Sequence, residues 1–468
     1  MEKTRLILLF QTLTNKEVKE LGDFLSSPFF NKRQEVRRLF DYLVETLNIY
    51  PSTPSKEKAF IFVTGNRDLS DYDDQQVRLW MSFLFKNIEQ YLVYKSFVQE
   101  KVKVQGQLAK VYRERRLPQH QERVLKKLQG LQDQRVIRNA EFFADDFQVQ
   151  LERYQFISAN QRIGELNLQQ ISDNLDTAYL AQKLKQSCLL LAHQAVYKTQ
   201  YRYGLIDEVL RYVEQQNLLG LPAIAAYCYQ TLTQSGADDY FPSFKKTIIE
   251  QGKRFPKDER GDLYILAINF CIKRYNAGNS AYLKDEFELY REGLEQGLFL
   301  QNQILSRFTY WNVVTLALVM KAYDWVEVFI QEYKSALDKS FRESMFSINL
   351  ARLEYSRKNY KTALQLLQKS EYKDLLLNLA AKTVMLKVYF ELEEFDLLDA
   401  HLGAMRTFIR RKKMIGYHQE NYVNLIQFTR KLMECNPYDR KEKEQLRREI
   451  EQTKVVAEKG WLLEVGVK

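Results

Sequence analysis

The apolar residues of this chain recur at the spacing of α-helices from the N-terminus onward. Val36, Leu39, Phe40 and Leu43 follow the i, i+3, i+4, i+7 pattern that lines one face of a helix. Beyond residue 140, the same pattern predicts helices that come in pairs with short interruptions between them. The predicted pairs are 143–168 with 176–198, 205–216 with 222–235, and 242–254 with 261–276. The chain is therefore predicted to consist of helical hairpins.

A junction between a polar residue and an aromatic residue recurs in the C-terminal third. Asp-Trp, Asn-Tyr and Glu-Phe pairs place Trp325, Tyr360 and Phe395 at intervals of 35 residues. Apolar residues stand seven positions before and three positions after each ring: Leu318, Leu353 and Val388 before, and Val328, Ala363 and Leu398 after. The pattern predicts a repeated helix–turn–helix unit, in which the ring opens the second helix and packs back onto the first.

The stretch NLARLEYSRKNYKTALQLLQKS (349–370) resembles the tetratricopeptide (TPR) repeat of about 34 residues. Ala351 and Ala363 match its small packing positions, and Tyr360 matches the aromatic residue at its turn. Tyr389 and Phe395 carry a looser match in the following unit, while the turn glycine and the closing proline of the family are missing. The resemblance covers 310–410. It implies an α-solenoid, in which stacked helix pairs form a right-handed α-α superhelix that binds partners on its concave face.

The predicted fold class is therefore all-α, a TPR-like helical-hairpin solenoid with an N-terminal helical module. We expect this module over 1–94, a basic helical connector over 95–140, the solenoid over 141–435, and a charged C-terminal segment over 436–468. The charged helix 441–460 is either a capping helix or a docking element. Apolar residues behind it are predicted to fold back onto the last repeat: Trp461, Leu462, Leu463 and Val465.

Composition agrees with long helices, because both helix breakers are scarce, with 17 glycines and 8 prolines in 468 residues. The four cysteines are widely separated in apolar helical contexts and indicate reduced thiols of a cytoplasmic protein. The N-terminal run LILLF is too short for a secretory signal, and no uncharged apolar stretch reaches membrane-spanning length. We expect a soluble, cytoplasmic protein without a metal or cofactor.

The net charge is +10, and with 70 basic and 60 acidic residues most charges are predicted to alternate on solvated helix faces. Two stretches, 95–138 and 406–414, are markedly basic. Each has two interpretations. The cations either lie on solvated faces and complement helix dipoles, or they contact the phosphates of RNA or DNA. The residues concerned are Lys110, Arg113, Arg115 and Arg116 in the first stretch, and Arg410, Arg411, Lys412 and Lys413 in the second.

Motifs that carry chemistry are missing from the sequence. It contains no phosphate-binding loop, no HExxH, no GxSxG and no CxxC. His193 lies in the apolar run LLLAHQAVY and is predicted to be a core histidine, whereas the acidic turn 391–396 is predicted to be solvated. The aspartate-rich segment 68–77 is predicted to form a loop and a helix N-terminus.

The sequence therefore predicts a non-catalytic, intracellular scaffold that binds a peptide or protein partner on the concave face of a helical-repeat array. The alternative is an RNA- or DNA-associated helical protein that uses 95–138 and 406–414. An enzyme whose residues converge from distant helices is the third alternative.

Overall fold

The computed structural model describes the whole chain apart from residues 2, 50–51, 67–68, 161–165, 198, 369–371, 373, 412–415, 437 and 467–468. The described part contains 23 α-helices and one two-stranded hairpin, in which β1 (Leu300–Gln301) pairs antiparallel with β2 (Ile304–Leu305). The predicted all-α fold class is confirmed. The chain forms two compact units, Met1–Lys183 and Leu184–Lys468.

The first unit holds eight complete helices in its described part. They are α1 (Arg5–Phe10), α2 (Asn15–Ser26), α3 (Gln34–Val44), α4 (Lys56–Thr64), α5 (Asp74–Gln99), α6 (Lys101–Glu114), α7 (Pro118–Gln134) and α8 (Ala140–Asn160). A ninth helix, α9 (Leu168–Val196), contains the boundary between the units.

Two separate hydrophobic cores hold the first unit together. Helices α1 to α5 share one core, in which Leu21, Leu39 and Leu84 are fully buried. Helices α6, α7 and α8 share a second core around Ala109 and Leu128. The predicted module boundary at 94 lies near the division between these cores, whereas the predicted connector shares its core with α8. The three predicted domain boundaries, after residues 94, 140 and 435, remain predictions.

Local sequence signals explain where two helices of this unit begin. Thr14 caps α2, because its hydroxyl accepts a hydrogen bond from the Glu17 amide while the Glu17 carboxylate accepts one from the Thr14 amide. Asp73 caps α5 by accepting from two backbone amides, and Asp74 forms ion pairs with Lys56 and Arg78. The interpretation of the segment 68–77 as a helix N-terminus is thus confirmed for its described aspartates.

The second unit continues the helical sequence. It holds α10 (Ile206–Gln215), α11 (Pro222–Gln234), α12 (Phe241–Glu250), α13 (Lys257–Asn276), α14 (Tyr282–Glu295), α15 (Arg307–Val319), α16 (Tyr323–Glu332), α17 (Arg342–Ser356), α18 (Tyr360–Gln368), α19 (Leu375–Glu391), α20 (Phe395–Arg411), α21 (Gly416–Glu434), α22 (Arg440–Gln452) and α23 (Lys459–Val465). None of the helices in the described residues combines the length and the apolar character that crossing a membrane requires.

Helices of the second unit pack in the order of the chain and also pack against alternate neighbours. From α11 to α21 each helix contacts the next one, and α15 also contacts α17, which in turn contacts α19. This is the neighbour pattern of stacked hairpins, with α15, α17 and α19 as first helices and α16, α18 and α20 as second helices. The right-handed superhelical course of such a stack remains a prediction.

The three hairpins are closed by turns of one geometry. Lys321, Lys358 and Glu393 each adopt a left-handed conformation, with φ of 58°, 64° and 57°. In each turn the following amide donates to the carbonyl five residues back, at 2.8–3.0 Å, as in a Schellman motif. The residues directly after these turns are Tyr323, Tyr360 and Phe395, and each is the first residue of a second helix.

This geometry corrects the predicted repeat register in the first hairpin. Tyr323, not Trp325, is equivalent to Tyr360 and Phe395, so the spacings are 37 and 35 residues. Burial confirms the corrected register, since the residues three positions after each ring are fully buried: Val326, Ala363 and Leu398. Val328, which a uniform 35-residue period selects, is 53% exposed. Two extra residues between the first and second rings cause the shift.

Candidate interaction site on the first helices

The corrected register aligns three polar residues along consecutive first helices. Thr315 of α15, Arg352 of α17 and Lys387 of α19 each stand eight positions before the ring that opens the second helix. Arg352 donates from Nη2 to the Thr315 hydroxyl at 2.7 Å, and from Nη1 to Asn349 Oδ1 at 2.9 Å. Equal positions of the repeat thus meet directly between α15 and α17, and Lys387 holds the same position on α19. We call these three residues the row.

Aromatic residues border this row. The Arg352 guanidinium lies 3.9 Å from the centre of the Trp311 ring on α15, at cation–π distance. Tyr355 and Phe390 stand three residues after Arg352 and Lys387, one helical turn further along the same helix face. We call the surface formed by Trp311, Thr315, Arg352, Tyr355, Lys387 and Phe390 the A-face.

The A-face contains two positively charged side chains and no carboxylate. The bonds of Arg352 to Asn349 and Thr315 go to neutral oxygen atoms, and no ion pair between described residues includes Arg352. Burial lowers the pKa of Arg352 to about 10, and the Glu458 carboxylate partly offsets this effect. The row therefore contains two cations, Arg352 and Lys387, and the negative charge that faces them comes from the C-terminal segment.

The C-terminal segment supplies that charge through Glu458. Its carboxylate forms an ion pair with the Lys387 ammonium group, whose side chain is only 14% exposed. The same ammonium group lies 5.7 Å from the Tyr355 ring and 5.8 Å from the Trp461 ring. Burial raises the pKa of Tyr355, and the nearby carboxylates Glu391 and Glu458 raise it further.

Trp461 anchors the segment one turn beyond Glu458. It is 7% exposed, and its ring meets the Phe390 ring edge-on at 5.4 Å. Leu462 and Val465 join the same core, and Leu463 packs against it. The prediction that Trp461, Leu462, Leu463 and Val465 fold back onto the last repeat is confirmed.

Hydrogen bonds from α21 hold the approach to α23. The Asn424 side chain donates to the Val455 carbonyl at 2.7 Å, and the Ala457 amide donates to the Asn421 carbonyl at 3.1 Å. Glu458 is the N-cap residue of α23 and adopts a left-handed conformation with φ of 56°. Residues 455–457 are therefore bound to α21, and Glu458 and Trp461, which follow them, contact the A-face.

The three rings predicted to pack the repeats behave differently from one another. Tyr360 meets Tyr355 of its own first helix at 5.7 Å, as predicted. Phe395 meets Phe390 of its own first helix at 6.2 Å but remains 43% exposed. Trp325 contacts Phe287 of α14 at 4.8 Å and Phe329 of its own helix. The prediction that Trp325 packs onto its own first helix is therefore wrong, because the ring points toward α14 of the preceding hairpin.

The other three predicted packing residues, Ala351, Ala363 and Tyr389, make contacts within the hairpins. Ala351 and Ala363 are completely buried. Tyr389 packs against His401 of α20 at 5.6 Å, and the His401 ring nitrogen Nε2 lies 2.8 Å from the Lys382 carbonyl oxygen. These contacts connect α19 to α20 within one hairpin.

The predicted basic residues fall in different units. Arg410 and Arg411 are exposed in the last turn of α20, while Lys412 and Lys413 lie outside the described residues. In the first unit, Lys110, Arg115 and Arg116 are exposed around the turn between α6 and α7. Arg113 differs from them, since it forms a two-pronged pair with Glu152 at 3.1 Å.

His193 contradicts its predicted place in the core. It is exposed near the end of α9, where its Nδ1 atom lies 2.9 Å from the Tyr201 hydroxyl and its ring stacks on Tyr197. The acidic turn 391–396 follows its prediction at Glu393, Glu394 and Asp396, which are exposed. Glu391 is half-buried, and its hydrogen bond adds to the effect of burial in raising the pKa of Tyr360.

Sequence reasoning missed Arg352 and Lys387 altogether. Arg352 and Lys387 share one position of the 35-residue period, and Thr315 joins them only when the first ring is assigned to Tyr323. A comparison with protein-family models gave no match, and no curated protein matches the chain. The geometry of the A-face therefore carries the functional argument.

Proposed function

We propose that this protein is a non-catalytic intracellular scaffold that binds a peptide segment of a partner protein on its A-face. One observation carries the proposal: a segment of polypeptide already lies on this surface, the chain's own residues 455–465, held by the Lys387–Glu458 ion pair and by Trp461 against Phe390. A surface that holds one such segment has the groups needed to hold another.

The repeat architecture supports this proposal. Stacked hairpins project equivalent side chains at regular intervals, so a bound segment contacts several units at once. The A-face combines fixed cations with aromatic rings, which are the residue types that dominate binding energy at protein interfaces. In the superhelix that the TPR resemblance implies, the first helices line the concave surface. Three buried free thiols, Cys188, Cys228 and Cys271, fit a reducing intracellular environment.

Site-specific photocrosslinking tests the proposal. A photoreactive phenylalanine analogue replaces Leu318, which occupies the repeat position of Tyr355 and Phe390, in the full chain within its native cells. The matched control carries the analogue at Val328, which is 53% exposed on a second helix. We expect a discrete set of partner proteins crosslinked from position 318, resistant to nuclease, and no such set from position 328. Equal labelling from both positions, or none from position 318, would contradict the proposal.

A second candidate function rests on the hairpin of α6 and α7 in the first unit. Lys110, Arg115 and Arg116 are exposed there and form no ion pair with another described residue. Such a cluster fits phosphate contacts with RNA or DNA.

Salt dependence separates this candidate from the scaffold. If the hairpin binds nucleic acid, the affinity for a single-stranded RNA probe falls steeply with salt, and the Arg115→Ala/Arg116→Ala chain shows a smaller slope. Absence of binding to the probe at low salt would remove the candidate. Binding that the double variant leaves unchanged would assign it to another surface.

A further inference from the structure

We propose that the A-face recognises an acidic residue followed three positions later by tryptophan on a short helix, and that Glu458–Trp461 occupies this site until such a partner segment displaces it. This inference rests on the proposed function. It adds the chemistry of the partner segment and the occupation of the binding site by the chain's own C-terminal segment.

The spacing of the two anchors defines the recognised pattern. Glu458 is the N-cap residue of α23, and Trp461 follows three residues later; both side chains face Lys387, whose ammonium group pairs with the Glu458 carboxylate and lies 5.8 Å from the Trp461 ring. Lys387 receives the carboxylate and Phe390, one turn further along α19, receives the indole. Two anchors on the ligand, three residues apart in sequence, thus meet two residues of the A-face that are also three residues apart.

Charge complementarity indicates that the resident segment does not use the site fully. Two cations, Arg352 and Lys387, belong to the row, and Glu458 forms an ion pair only with Lys387 among the described residues. Arg352 is left with the neutral oxygen atoms of Thr315 and Asn349. A partner segment whose carboxylates reach both cations gains charge-assisted hydrogen bonds that the resident segment lacks.

The resident segment is built as a weak competitor at its charged end. Glu458 is 41% exposed as a side chain and adopts a left-handed backbone conformation, which non-glycine residues rarely adopt. Tethering adds to the hold that the buried Trp461 provides, since a segment of the same chain has a high effective concentration. A ligand in solution must therefore outcompete a tethered segment, and weakening that segment exposes the site.

Binding of a peptide in solution tests the inference. The probe is a fluorescein-labelled peptide of residues 453–466, measured by anisotropy against the full chain, its Glu458→Gln variant and its Glu464→Gln variant. Glu464 is exposed on the same helix and provides the matched change of charge. We expect Glu458→Gln to bind the probe about 5- to 10-fold more tightly than wild type, and Glu464→Gln to equal wild type.

Two further reagents assign the gain to the A-face. Adding Lys387→Met to the Glu458→Gln chain should remove it, and a probe with glutamine and alanine at the positions of Glu458 and Trp461 should not bind. Circular dichroism checks that each variant is folded. Equal affinity of the Glu458→Gln and Glu464→Gln chains overturns the inference.

The two proposals can fail separately. Partner crosslinks from position 318 in the absence of any gain for Glu458→Gln leave the scaffold function standing and show that 455–465 is only a structural cap. Failure of both experiments removes both proposals.

Discussion

Lys321, Lys358 and Glu393 hold the left-handed position of the three hairpin turns, where glycine is the residue without a Cβ penalty. The absence of the turn glycine was visible in the sequence, yet the turns form with the same hydrogen bonds. The energy of helix packing on both sides exceeds the cost of about 1–2 kcal/mol for a left-handed residue with a side chain. Substituting glycine at these positions should therefore stabilise the protein.

Replacing Lys358 with glycine should raise the free energy of unfolding by about 0.5–1 kcal/mol, because the left-handed penalty disappears while glycine loses more backbone freedom on folding. The matched control is Gln365→Gly, an exposed position inside α18, which should lower the free energy of unfolding by about 1 kcal/mol. Urea unfolding followed by circular dichroism measures both changes. Destabilisation by Lys358→Gly would show that the turn does not have this conformation.

Glu286 on α14 gives the fold a dependence on pH. It is 5% exposed, and burial raises its pKa to about 7, with Cys271 of α13 and Tyr290 of its own helix nearby. The folded state therefore keeps a proton that the unfolded state releases above about pH 4.3. Stability should fall as the pH rises from about 4.5 to about 7, and the loss is complete above that window.

Glu286→Gln should accordingly have little effect at pH 4.5 and should stabilise the protein by about 2–3 kcal/mol at pH 8. Glu288 on the same helix is the matched control, because its pair with Lys245 at 2.6 Å lowers its pKa. Glu288→Gln should show the opposite dependence, with a larger loss of stability at pH 8 than at pH 4.5. Thermal unfolding at both pH values gives the comparison, and a stabilisation by Glu286→Gln that is equal at the two values would contradict the assignment.

At the scale of elements, helices and their pairing could be predicted from periodicity, whereas the register of one hairpin could not. The segment AYDWVEVFI offers two aromatic residues, Tyr323 and Trp325, and a uniform period selects the second. Only the backbone of the turn, with Lys321 in the left-handed position, shows that the helix opens at the first. Periodicity does not reveal two extra residues between neighbouring units, because they lie in the connection between the helices and leave the pattern within each helix unchanged.

A pair of valines tests this register. Val326→Ala should lower the free energy of unfolding by about 1–3 kcal/mol, because Val326 is completely buried at the position of Ala363 and Leu398. Val328→Ala removes the same atoms from a side chain that is 53% exposed, and should change the stability by at most about 0.5 kcal/mol. Urea denaturation distinguishes the two registers, since the uniform 35-residue period requires the reverse order of effects.

At the scale of the whole molecule, sequence analysis predicted the all-α class and the return of the C-terminal segment, but not the A-face. Arg352 and Lys387 look like ordinary charged residues of separate helices in the sequence. Their common position follows from the 35-residue period, but the period does not show what faces them, because the negative charge arrives from about 70 residues further along the chain. The basic stretches can be recognised in the sequence because their residues are contiguous. The residues that meet at the A-face are far apart in the sequence, so their contacts can be recognised only in the structure.

The most direct test of the A-face as an interaction site is hydrogen–deuterium exchange of the full chain with and without a saturating amount of the peptide of residues 453–466. Displacement of the resident segment predicts that the amides of α23 exchange faster when the peptide is bound, while those of α17 and α19 stay as protected as before. Unchanged exchange in α23, with new protection elsewhere on the chain, would contradict the account.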